Sequence, residues 1–159
     1  MSDAPRAFRA PLRSRRPDVP EGVGVERGLT LGLCGFGGAL EPPPATFDDA
    51  VATALRGGDQ RLAWRIQRFA KAPDGAYVWT RDIDELYWLG RLSGAYRYDP
   101  DPAAALVDLV HVRPVTWREA PVDPARVPAA VLATFGRGGR NWQEIHHPSV
   151  GPESERAWA

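Results

Sequence analysis

Seven large aromatic residues, Tyr77, Trp79, Tyr87, Trp88, Tyr96, Tyr98 and Trp117, fall within about forty positions of this chain. Read as extended backbone, Tyr77, Trp79 and Arg81 share one face, and Tyr87, Leu89 and Arg91 share a face opposed to Leu86 and Trp88. Arginines thus repeatedly accompany aromatics. Flat π surfaces beside guanidinium groups suit stacking on a base and pairing with phosphate, while core packing is the other use of the same residues. Arg81 and Arg91 are therefore candidate phosphate ligands.

Residues 1–20 hold five more arginines, Arg6, Arg9, Arg13, Arg15 and Arg16, against Asp3 and Asp18, together with four prolines. The segment reads as a disordered basic arm, with Arg13, Arg15 and Arg16 as phosphate contacts. Such an arm is expected to add affinity without selectivity, because phosphate contacts carry no base information. Lys71 is the one lysine among twenty cations, so GC-rich coding is a second explanation of the arginines. Twenty acidic residues balance them, and bulk charge gives no argument for a polyanionic partner.

Other chemistries find less support. Gly35-Phe36-Gly37 is followed by Leu40 where a dinucleotide loop needs glycine, and no Gly-Lys-Ser/Thr occurs. His111 alternates with Val110 and Val112 and reads as structural, while His146 and His147 are adjacent and would point to opposite faces of a strand. With one cysteine and no H-x-x-x-H or C-x-x-C spacing, neither a zinc site nor a cofactor is expected. Cys34 sits in an apolar run where a buried, inert thiol is the default. Asp82, Asp84 and Glu85 read as turn chemistry.

The elements that must position these residues follow from punctuation and period. At 159 residues, with 43% apolar and 25% charged residues, the chain fits one domain with an ordinary core. Residues 28–36 are expected to form a buried first strand. A helix should start at Thr46, with Asp49 in a capping-box-like place, Phe47, Val51 and Leu55 on one face and Gly57-Gly58 at its stop. A second helix from about Asp59 carries Leu62, Ile66 and Phe69 as its apolar stripe, with Arg61, Arg65 and Arg68 on other faces. The period then turns to alternation, which predicts strands over Tyr77–Arg81 and residues 86–98, the latter bent at Gly90 and Gly94. A further strand follows over residues 108–117, with Pro114 restricting it to an edge or bulge. A short helix near residues 128–134, a last strand over 141–145 and a frayed tail over 149–159 complete the layout. The fold class is α+β, a small bent antiparallel barrel with two helices after the first strand and one before the last, spanning residues 21–148. A lone thiol, no signal-peptide pattern and no membrane-length apolar run point to a cytoplasmic protein with no membrane partner.

The stretch YVWTRDIDELYWLGRLSGAYRYDP, followed by DLVHVRPVTW, resembles the PUA-like superfamily, in particular the EVE-like domains found alone or beside Mrr-type restriction endonucleases. Val78, Thr80, Gly90, Gly94, Tyr96, Tyr98, Asp99, Arg113, Val115 and Trp117 fall in step with that pattern, and Asp74-Gly75 reverses its Gly-Asp order. LGLCGFGG is similar to the family's first strand and aromatic turn, and the likeness covers roughly residues 28–147. The resemblance implies a non-catalytic, nucleic-acid-binding module that reads a modified or flipped base of DNA or RNA, of a kind serving defence against foreign DNA. It places the base pocket at Gly35, Phe36, Gly37, Trp79 and Thr80. A nuclease activity would have to come from a partner. The alternative readings are a protein-interaction module built on the aromatic hairpin, and a small hydrolase with converging carboxylates or an oriented histidine.

Overall fold

The computed structural model describes residues 4–159, and within them the chain is α+β: a curled, open, mixed sheet with helices on both faces. Strands β1 (Ala7–Arg9), β2 (Leu33–Phe36), β3 (Tyr77–Arg81), β4 (Tyr87–Leu92), β5 (Arg97–Tyr98), β6 (His111–Trp117) and β7 (Gln143–Glu144) run in the order β2-β6-β4-β3-β1-β7, with β5 also paired to β6. All pairs are antiparallel except β1 with β3, which run parallel with Phe8 opposite Val78. The sheet is therefore mixed and open rather than an antiparallel barrel.

Helices α1 (Val23–Leu31), α2 (Phe47–Arg56) and α3 (Gln60–Lys71) share the larger core with one face of the sheet, where Ile66, Phe69, Val78 and Val112 are buried. Helices α5 (Ala129–Gly136) and α6 (Val150–Trp158) pack on the other face around Trp79, Leu89 and Val131, and the short α4 (Pro102–Leu106) follows β5. Thr46 caps α2 by accepting from the Asp49 N–H at 3.1 Å, and Asp59 caps α3 by accepting from the Leu62 N–H at 3.0 Å. Leu62, Ile66 and Phe69 are buried as their spacing predicts, whereas Leu55 points to solvent. Pro114 sits where β6 changes neighbours, between Arg97 opposite Val112 and Leu92 opposite Val115, so its missing N–H falls at a break in pairing.

Four further expectations are overturned. Residues 4–20, the described part of the expected disordered arm, belong to the fold: β1 inserts between β3 and β7, and Phe8, Ala10 and Leu12 lie in the core. Residues 28–31 belong to α1 rather than the first strand, and residues 86–98 split into β4 and β5. The expected frayed tail is α6, whose Ser154 hydroxyl accepts from the Trp79 indole N–H at 2.9 Å. Among the described residues no helix is long and apolar enough to cross a membrane.

Candidate nucleic-acid interface

The glycine run after β2 is held from several sides. The Asp108 carboxylate accepts from the Gly38 N–H at 3.1 Å and from the Ser14 hydroxyl at 2.6 Å. The Gly38 carbonyl faces His111 Nε2 at 2.8 Å, so Nε2 carries the proton and Nδ1 accepts from the Tyr96 hydroxyl, also at 2.8 Å. Burial pushes the His111 pKa down to about 4, against a rise from its bond to Gly38, which makes it a neutral strut. Two glycines are dictated by close approach. A Cβ on Gly35 would lie 1.7 Å from the His111 carbonyl oxygen, and one on Gly37 would lie 2.3 Å from the Asp108 carboxylate.

Beside this run opens a cavity of about 310 Å³, with Phe36 and Gly37 in its lining, Arg13, Arg15, Arg16, Arg61, Arg65 and Arg140 around it, and two carboxylates, Asp59 and Asp108, which accept from the Leu62 and Gly38 N–H groups. An adjoining groove of about 730 Å³ shares Arg15, Arg61, Arg65 and Asn141 with it and adds Arg6, Trp64, Arg68, Lys71 and Trp142. The groove's one lining carboxylate, Glu144, is held by Arg6 through two bonds of 2.8 Å. Arg13 pairs with Glu21 and Arg16 with Asp18. Arg15, Arg61, Arg65, Arg68, Lys71 and Arg140 make no ion pair among the described residues. Burial pushes the Arg65 guanidinium below its ordinary pKa and the neighbouring Arg15 and Arg68 add to that, while Asp59 pulls the other way. An anion bound here would relieve that repulsion.

Helix geometry builds this surface. Arg61, Trp64, Arg65, Arg68 and Lys71 recur at helical spacing along α3, opposite the buried stripe of Leu62, Ile66 and Phe69. The three arginines, expected on several faces, share one, and the i, i+4, i+7 spacing of 61, 65 and 68 is the signal for it. The far side of the groove is fixed by Arg9, which is buried without a carboxylate. It donates to the carbonyls of Thr134 and Asn141, the Thr134 hydroxyl and the Gln143 side chain. Burial pushes its pKa down, and nearby Arg137 adds to the shift. The loop that presents Arg140, Asn141 and Trp142 is thereby tied to β1, and the Arg15 guanidinium bonds to the Asn141 side chain.

The residues expected to form one site separate into two groups. Phe36 and Gly37 do meet Arg13, Arg15 and Arg16 at the cavity, whereas Gly35 is buried in β2 opposite Val112. Phe36 is largely covered, however, stacked on His111 with ring centroids 5.2 Å apart and carrying the Arg65 guanidinium 5.7 Å from its centroid. Trp79 and Thr80 are fully buried and line none of this, Trp79 in the core under α6 and Thr80 turned to the opposite face of β3. Arg81 lies over Phe135, and Arg91 lies over Tyr77 and Trp158 while bonding to the Gly75 carbonyl. The predicted pairing of arginines with aromatics on one face is real, but α5 and α6 cover that face, so it offers neither a base platform nor a partner surface. Asp82 spends its carboxylate on the Asp84 and Leu86 N–H groups and the Trp88 indole, which is turn chemistry. Ser149 Oγ lies 2.8 Å from His147 Nδ1 at the start of α6, and no ion pair orients that histidine among the described residues.

Compared with models of protein families, with curated proteins and with solved structures, the chain finds no match.

Proposed function

We propose that this chain binds nucleic acid without chemical turnover, laying phosphates along α3 and taking a modified or flipped base into the cavity beside Phe36. The observation that carries this reading is the gathering of six unpaired cations around two adjoining cavities, in a chain whose formal net charge is zero. Such an excess of cations over the three carboxylates that line the same cavities, Asp59, Asp108 and Glu144, is the electrostatic footprint of a polyanion partner. The cavity of about 310 Å³ is at the lower end of the size range of small-molecule sites, as one base requires. The PUA-like wording of the sequence supports a base pocket beside the glycine run. A nuclease partner and a role in restriction follow only from that resemblance.

Fluorescence titration of the purified protein against oligonucleotides with and without base modifications tests the reading. Arg61→Ala with Arg65→Ala should lower affinity for every oligonucleotide by at least about tenfold and reduce the log–log salt slope by about 1–2. Ala39→Trp, which fills the cavity from an exposed position, should remove discrimination between modified and plain bases while leaving plain-strand affinity. Equal binding by the arginine double variant would exclude the groove, and undiminished discrimination in Ala39→Trp would exclude the cavity.

A further inference from the structure

Trp64 has no part in either core. Its side chain is 50% exposed, which makes it the one exposed tryptophan among the described residues, and it stands between Arg61, Arg65 and Arg68 in the groove wall. An exposed indole costs hydration free energy without a structural return, so its flat face amid unpaired guanidinium groups points to a ligand that is both aromatic and anionic. Resting on the nucleic-acid reading above, we infer that the groove is built for an unpaired strand, and that Trp64 stacks on the base next to the one in the cavity.

Shape separates this from duplex binding. A helix that reads a duplex projects into the major groove, which presents base edges and phosphates but no base faces. Here α3 does not project: it forms one wall of a groove whose opposite wall is built from Arg6, Trp142 and Glu144. The stripe from Arg61 to Lys71 runs for about 15 Å at the helical rise, so a strand leaving the cavity meets cations along its whole path past Trp64. Only an unpaired strand presents the face of a base to that indole.

The test is a titration of single-stranded DNA and RNA oligonucleotides, and of the DNA duplex of the same sequence, into the wild type, Trp64→Ala and Trp64→Phe. Thermal melts should be unchanged by either substitution, because the side chain lies outside both cores. Single strands should bind tighter than the duplex. Trp64→Ala should weaken single-strand binding by about 5- to 150-fold with an unaltered salt slope, and Trp64→Phe should restore most of it. Equal or tighter duplex binding, or no change in Trp64→Ala, overturns the inference. If Arg61→Ala and Arg65→Ala weaken binding while Trp64→Ala does nothing, the inference falls and the nucleic-acid reading stands. If no oligonucleotide of any form binds, both fall.

Discussion

Arg113 closes the end of α3. Its guanidinium donates to the carbonyls of Phe69 at 2.9 Å, Ala72 at 2.6 Å and Gly94 at 2.9 Å, and pairs with Asp74 at 2.9 Å. Those carbonyls include orphans at the helix end, and a planar fork can satisfy them together where an ammonium cannot. Arg113→Ala should cost about 3–5 kcal/mol in denaturant unfolding, because buried acceptors lose their donor, and Arg113→Lys should recover little of that. His111 gives a pH signature. Its folded pKa of about 4 lies below the unfolded value of about 6.5, so the unfolded chain binds more protons between the two. Stability from this group is complete above pH 6.5, falls as pH drops toward 4 and then levels, a loss of about 3 kcal/mol. Unfolding curves of the wild type and His111→Gln across that window should diverge in slope, and parallel curves would refute the neutral strut. Trp79 packs the core instead of receiving a base, so Trp79→Ala should lower stability by about 3–5 kcal/mol.

At the scale of elements, the two terminal segments, whose composition suggests an arm and a frayed tail, are the ones that complete the sheet and its cover. Deleting residues 1–20 removes β1 from between β3 and β7, and deleting residues 149–159 strips α6 from Trp79. Each truncation should abolish the cooperative melt in circular dichroism, and a truncated chain with the wild-type midpoint would contradict the roles of β1 and α6 in the fold. The α2 and α3 caps, the Tyr77–Arg81 strand and the apolar stripe of α3 are legible in the sequence because local chemistry and period agree there. Strand β1 is not, since three residues between Pro5 and Pro11 are too short to show a period, and its stability comes from a partner about seventy residues away. Helix α1 is hidden by Gly24 and Gly28, which weaken helix propensity yet are needed for packing. A Cβ on Gly24 would lie 2.2 Å from the Leu12 carbonyl oxygen, and one on Gly28 would lie 2.7 Å from that of Leu33. At the candidate site the glycine run and the N-terminal arginines are legible. The cationic stripe of α3 is masked by the stronger apolar period of the opposite face, and Arg140 and Asn141 are held at the cavity by the long-range bonds of Arg9 and Arg15 to Asn141.

For the whole molecule, a net charge of zero conceals a local gathering of cations at the groove, and ionic strength is the direct probe of it. If four to six of the groove cations meet phosphates, log affinity for a single strand should fall against log salt with a slope of about −3 to −4. A slope near zero would show that the cations stand free in the complex. The contact between the segment before β1 and α6 has a different consequence. Gly151 at the start of α6 sits so close under the Pro5 carbonyl that a Cβ there would lie 1.9 Å from its oxygen, so the segment leading into β1 and the start of α6 are neighbours. The first and last of the described elements thus meet, and the fold's identity resides in the circular order of those elements more than in the point where that circle is cut. A permutant with its old ends joined by a short Gly/Ser linker and new ends opened in the exposed loop at residues 83–85 should keep the parent's near-ultraviolet dichroism and oligonucleotide affinity. Loss of both would show that β3 and β4 must remain joined as a hairpin for the sheet to form.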